Sequence, residues 1–238
     1  MSGPGKAGPG EDRPGAPGPG EARPGATVPG EARPGDARPG EVSAGRSRLS
    51  DWTEALAEAH GDPGGGAASA VMLSMAAALT AMTAGYSAAG RFGDAPDDPE
   101  WERRRAAIEH DARRLRATAL ELADTDAAVS GAFAPAYALD DRQERREAVA
   151  EVSAAATRTS QLIGEAALTL PDHLDWLARH GNPALHADVA VARAALRGAL
   201  SGACTNLTAD GGDELTGDER ASLARFEEAI ARLDASAG

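Results

Sequence analysis

Residues 64–90 read GGGAASAVMLSMAAALTAMTAGYSAAG, a run without one charged side chain. It is long enough to span a bilayer. Its larger apolar groups are only Met72, Leu73, Met75, Leu79 and Met82, and alanine, glycine, serine and threonine fill most of the rest. Such a helix is weakly lipophilic and better suited to the middle of a helical protein, where small side chains let neighbours approach closely. A second run, ADVAVARAALRGALSGACTNL at 187–207, has Asp188, Arg193 and Arg197 as its only charges. In a chain with 26% charged residues, two such helices must be central, with amphipathic helices around them.

The flanking sequence supplies those helices. Ser50 is placed to cap a short helix carrying Leu49, Trp52 and Leu56, which Gly61 and Pro63 stop. Asp98 followed by Pro99 opens a long helix, in which Trp101, Ile108, Leu115, Leu122 and Val129 recur every seven residues with Ala112 and Ala119 between them. That narrow seam suits a long antiparallel neighbour. Pro135 interrupts the next segment. A charged helix is predicted from about Arg142 to Leu170, and a short one from Pro171 to about His180-Gly181. Thr216 and Glu219 form a capping box for a last helix, where Leu223, Phe226, Ile230 and Leu233 hold helical spacing. No run alternates with period two, so the fold expected is all-α: a bundle of long antiparallel helices around the two small-residue ones.

The N-terminal region differs in kind. Pro-Gly recurs every five residues from Pro4 to Pro39, with arginines and carboxylates alternating between the repeats. A period of five excludes a collagen helix, and so little apolar content predicts disorder with transient turns. The expected organisation is a tail over 1–47 and a helical domain over 48–238. Only 3% of residues are aromatic and much of the apolar content is alanine, so a second subunit is expected to complete the core as a homodimer. A formal charge of −13 argues against nucleic acid and against an anionic membrane surface. Cys204 is the only cysteine, which excludes an intramolecular disulfide, and no apolar leader follows Met1. A cytoplasmic protein is expected.

Common catalytic constellations are absent. His60, His110, His173, His180 and His186 show no metal-ligand spacing, and neither a nucleophile elbow nor a P-loop occurs. No metal or cofactor is expected. Three short segments remain. Gly64-Gly65-Gly66, after Asp62-Pro63, stands immediately before the uncharged helix and is either a plain loop or a place where backbone N–H groups face a ligand oxygen. Gly181-Asn182-Pro183 leads through His186 to Asp188, which is either a helix-start carboxylate or a functional one. Asp124 and Asp126, with Tyr137 beyond them, are either solvent-facing or part of a site.

These segments resemble the cyclodeaminase/cyclohydrolase family of folate enzymes. Asp62-Pro63-Gly64-Gly65-Gly66 is similar to that family's Pro-Gly-Gly-Gly-Ser motif. Leu122-Ala123-Asp124-Thr125-Asp126-Ala127 with Tyr137, and Gly181-Asn182-Pro183 through Ala187-Asp188 to Asn206-Leu207, come after it in the family's order. The likeness runs over about residues 48–236. It implies an all-helical homodimer with a tetrahydrofolate derivative as substrate rather than cofactor. It further implies a site formed by Gly64, Gly65, Gly66, Asp126, Asn182 and Asn206. Asp188 would orient water or stabilise a cationic ring, with Tyr137 or His186 carrying the proton.

Several polar positions of the family are replaced here. Ala67 stands for the serine after the glycines and Ala138 for the lysine after the tyrosine, and Asp140-Asp141 stand where a proline-lysine pair is usual. Ala184, Ala187 and Gly202 replace an asparagine, a serine and another asparagine. The expected activity is hydrolysis of the methenyl bridge of 5,10-methenyltetrahydrofolate or of a related cyclic C–N bond. The absence of a formiminotransferase-like region favours this over cyclodeamination of a formimidoyl folate. The replaced polar positions favour a third possibility, a non-catalytic dimeric module that kept the fold.

Overall fold

Helix α2, Gly65–Tyr86, runs through the centre with α3, Pro99–Gly131, and α7, His186–Gly211, laid antiparallel on either side. The structure is a computed structural model and describes residues 42–59, 61–88, 95–211 and 215–235. The Pro-Gly repeat, for which disorder is expected, lies outside the described residues. Around the central three stand α1 (Leu49–Ala57), α4 (Phe133–Tyr137), α5 (Arg142–Ala167), α6 (Pro171–His180) and α8 (Gly217–Ala235). A short 3-10 turn, Pro183–Leu185, precedes α7. Among the described residues there is no strand, and the all-α class holds.

Small residues set the register of the centre. Gly202 packs on Ser69, where a Cβ would lie 3.0 Å from the Ser69 Cβ, and Gly198 packs on Met72, where a Cβ would lie 3.0 Å from Sδ. Ala70, Leu73, Ala76 and Ala77 of α2 and Leu196, Ala199 and Leu200 of α7 are fully buried as a result. Close approach replaces side-chain bulk as the source of dispersion contact. Helix α5, which packs on both α3 and α7, opens a notch at Gly164 for the Phe226 ring of α8; a Cβ there would lie 2.8 Å from Cδ2. By length and composition α2 could cross a membrane, yet 61% of its most apolar window is buried inside the bundle.

Because α2 has no charge of its own, its dipole is met by α3. The buried Asp126 carboxylate accepts from Ala67 N–H at the N-terminus of α2, at 2.7 Å. Twenty-one residues earlier on α3, the buried Arg105 guanidinium donates to Ala84 O near the C-terminus of α2, at 3.1 Å. One antiparallel neighbour thus sets an anion and a cation at the two ends where the helix favours them. Glu102 and Glu109 bind the remaining faces of Arg105, so its charge is compensated.

Most expected boundaries are found. Asp98 caps α3 by accepting from Glu100 N–H at 2.9 Å, and Thr216 and Glu219 make both bonds of the capping box. Three expectations need correction. Ser50 does not cap α1: the cap position is Arg48, and Ser50 Oγ donates to its neighbour Asp51. The seven-residue seam of α3 is buried at Trp101 and Ile108 but drifts onto Ala112, Ala119, Ala123 and Asp126. A straight helix rotates a strict heptad by about 20° per repeat, which moves Leu115, Leu122 and Val129 toward the rim. Finally, ordered packing begins before residue 48. Ser43 is 9% exposed and its Oγ donates to Asp124 Oδ2 at 2.7 Å, while Ala44 N–H donates to Oδ1 at 2.6 Å.

Candidate functional site

At the N-terminal end of α2 the glycine loop, Asp126 and Asn206 come together. Gly66 is buried because the Asp126 carboxylate occupies the space a side chain would need: a Cβ would fall inside contact distance of Oδ1 and 2.8 Å from Oδ2. Here absence of a side chain serves close packing, not backbone freedom. Gly65 is exposed and faces Asn206, whose Oδ1 would be 3.6 Å from a Cβ at that position. Of the first amides of α2, that of Ala67 is taken by Asp126 and that of Ala68 by Gly64 O at 3.0 Å. Those of Gly65 and Gly66 have no partner among the described residues. Asp126, expected either in a site or in solvent, is 6% exposed. Burial pushes its pKa above the ordinary carboxylate value; the bond from Ala67 N–H opposes this and the charge of Asp210 adds to it. Asp210 lies one turn after Asn206 on α7, and burial raises its pKa also. Tyr137, in α4 just beyond the end of α3, is 60% exposed and stacks on Phe133.

The other candidates stand at the opposite end of α2. The Asn182 N–H donates to Ser87 Oγ at 2.9 Å, and Gly181 packs against the same hydroxyl, which ties the turn before α7 to the C-terminus of α2. The Asn182 side chain accepts from Ala184 N–H at 3.0 Å and so caps the 3-10 turn. His186 is exposed and Asp188 is half-buried in the first turn of α7, with no side-chain hydrogen bond among the described residues. The register set by Gly65–Asn206, Ser69–Gly202 and Met72–Gly198 places Asp188 level with Met82. Beside that level a cavity of about 500 Å³ opens between α2 and α3, floored by Ala81, Met82 and Gly85 and rimmed by Tyr86, Arg113 and Arg116.

One chain therefore does not bring all the expected residues together. Gly64, Gly65, Gly66, Asp126, Asn206 and Tyr137 are at one end, and Asn182, His186 and Asp188 are at the other. At 1.5 Å per residue the length of α2 between them is about 30 Å. Sequence reading missed Asp210, Arg113 and Arg116. The i, i+4 relation of Asp210 to Asn206 is a legible signal, whereas the arginines are hidden in the charged pattern of α3.

Fold and site define a class: an all-helical protein around a small-residue helix whose N-terminus is a glycine loop seated on a buried aspartate. A family model described as formiminotransferase-cyclodeaminase matches residues 48–210, and the chain belongs to that family. It is similar in fold to a crystal structure of formiminotetrahydrofolate cyclodeaminase from Thermotoga maritima. The TM-score is 0.65, with 22% identity over 81% of this chain and 93% of that one. Among curated protein sequences, none matches.

Proposed function

We propose that this protein acts on the one-carbon bridge of a reduced folate, hydrolysing a methenyl C–N bond. The observation that carries the reading is the glycine loop itself. Its two open amides, at Gly65 and Gly66, stand over a buried carboxyl and beside the Asn206 amide. Such a loop offers donors for a carbonyl or anionic oxygen of a flat polar heterocycle, together with the dipole of α2. The bridge carbon of a methenyl folate is already cationic, so the reaction needs no further electrophile. Water adds to that carbon, one C–N bond breaks as its nitrogen takes up a proton, and one proton is released overall. Asp188 is the carboxylate assigned to orient the water and stabilise the cationic ring, with Tyr137 or His186 carrying the proton; since Asp188 stands about 30 Å from the glycine loop of its own chain, one substrate meets both only in the homodimer that the family resemblance implies. Asp126 acts as a positioning residue that holds the loop.

The family description favours a second reading on the same site. In it the neighbouring folate nitrogen attacks a formimidoyl carbon, ammonia leaves and the ring closes. The two reactions move the near-ultraviolet absorbance of methenyltetrahydrofolate in opposite senses. Purified protein that accelerates its loss above the spontaneous rate supports hydrolysis. Gain of that absorbance with ammonia release from a formimidoyl folate supports cyclodeamination. Neither change leaves the non-catalytic module, for which Ala67, Ala138, Ala184 and Ala187 speak. Gly202 belongs to that set as well, since an asparagine there would have to displace Ser69.

A further inference from the structure

We infer that the cleft where α3, the end of α5 and the start of α6 meet binds a small zwitterionic amino acid, at a site separate from the glycine loop and from Asp188. The cleft holds about 330 Å³ and is lined by Asp111, Arg114, Leu115 and Thr118 of α3, Ala166 of α5 and His173 of α6. Along α3, Leu115 is about 17 Å from Asp126. Its chemistry is independent of the folate reaction proposed above.

The polar groups of this cleft are unspent. Elsewhere on the surface, cavity-lining charges are paired: Arg113 with Glu109 in the cavity between α2 and α3, and Arg225 and Arg232, beside α8, with Glu165 and Asp172. Here the side chains of Asp111, Arg114 and Thr118 make neither a hydrogen bond nor an ion pair among the described residues. His173 is half-buried, and its Nδ1 is shut from water without a hydrogen-bond partner among the described residues. A buried polar atom with no partner calls for an explanation, and beside open charges a ligand atom supplies one. Histidine χ2 is a soft torsion, so a small turn of the ring presents Nδ1 to the cleft.

Charge says which ligand. The Arg114 guanidinium suits a carboxylate, and the Thr118 hydroxyl stands one turn further on the same stripe of α3. Asp111, three residues before Arg114, suits an ammonium. His173 feels Arg104 on one side of the balance and Asp111 and Asp172 on the other. Among such mixed charges a simple anion or cation gains from one sign and loses to the other, whereas a zwitterion gains from both. Burial keeps the His173 ring neutral at neutral pH, so Nδ1 can donate to the carboxylate or accept from the ammonium. The volume is at the small end for ligand pockets, and Leu115 and Ala166 leave room for a short aliphatic side chain. Alanine and valine meet all of these conditions.

The test follows the histidine ring signals of the full chain by NMR, with that of His173 assigned by its loss in His173→Gln. L-Alanine and L-valine are the probes; propionate and ethylamine, each carrying one charge of alanine, are the comparison. An amino acid should shift the His173 signal saturably and leave that of His186 in place. Arg114→Gln and Asp111→Asn should each weaken the binding by about tenfold or more, as should removing either charge from the ligand. Both side chains are exposed, so the variants should fold as wild type does, which far-ultraviolet circular dichroism checks; Thr118→Ala is a third variant on the same stripe. No saturable shift with either amino acid would overturn the site. Propionate or ethylamine binding as well as L-alanine would overturn the zwitterion, and so would sodium chloride giving the same shift. Full binding by both Arg114→Gln and Asp111→Asn would also contradict the assignment.

Discussion

Gly66→Ala isolates the contact on which the glycine loop depends. In an ordinary helix the change would stabilise by about 1 kcal/mol, because alanine is the better helix former. Here the new methyl enters the space held by Asp126, whose carboxylate is 6% exposed and bound to Ala67 N–H at 2.7 Å, so it has little freedom to swing aside. Overpacking a tight contact costs about 1–3 kcal/mol. Losing a charged hydrogen bond adds about 1.5–3 kcal/mol. Set against the propensity gain, the net loss is about 1.5–5 kcal/mol. For a domain of this size that lowers Tm by about 3–20 °C. Gly65→Ala is the control, since its Cβ meets nothing nearer than Asn206 Oδ1 at 3.6 Å and should be neutral or slightly stabilising. Urea melts followed by far-ultraviolet circular dichroism would measure both. The penalty of Gly66→Ala should also shrink in an Asp126→Ala background, where the obstructing group is gone. A Gly66→Ala protein as stable as Gly65→Ala, or an unchanged penalty beside Asp126→Ala, would show that the carboxylate does not hold this space.

Three other outcomes can be expected. Ser43→Ala should cost about 1–2 kcal/mol in the same melts, because its hydroxyl bonds the Asp124 carboxylate; an unchanged midpoint would detach residues 42–47 from the fold. Burial, with Arg104 nearby, holds the His173 pKa below the ordinary histidine value, while Asp111 and Asp172 pull it up. The unfolded chain therefore binds the proton first, and His173 lowers stability as pH falls from about 6.5 through its depressed folded pKa. The Tm difference between wild type and His173→Gln should change across that window and be constant above it; a difference constant throughout would contradict this. Asp188→Asn should melt near wild type, since asparagine serves a helix start about as well. Its turnover should nonetheless fall roughly a hundredfold or more, and an unchanged rate would remove Asp188 from the chemistry.

What the sequence made legible was whatever depends on local chemistry. One run without charge and one with only three charges named the central helices α2 and α7, and Asp98-Pro99 and the Thr216–Glu219 box marked two helix starts, because caps and burial are written in the residues themselves. Local patterns failed where another element decided the outcome. Ser50 has capping chemistry, but its hydroxyl finds Asp51 first. Asp126 sits in a charged helix beside Asp124 and reads like a surface residue. Only its register against α2 reveals that it lies under Gly66 while Asp124 reaches out to Ser43. The candidate site was legible as a set of residues but not as a place. Motif order along the chain does not say that α7 runs antiparallel to α2. It is that direction which carries Asn206 to the glycine loop and leaves Asp188 about 30 Å away at the other end.

Whether this glycine loop and Asp188 serve C–N chemistry on a reduced folate is decided by one rate. It is the rate at which purified full-length protein changes the near-ultraviolet absorbance of methenyltetrahydrofolate, measured beside Asp188→Asn and a protein-free control. Wild type should lose absorbance well above the spontaneous rate, and Asp188→Asn should return toward the spontaneous rate. A wild-type rate equal to that of the protein-free control would contradict the proposed function.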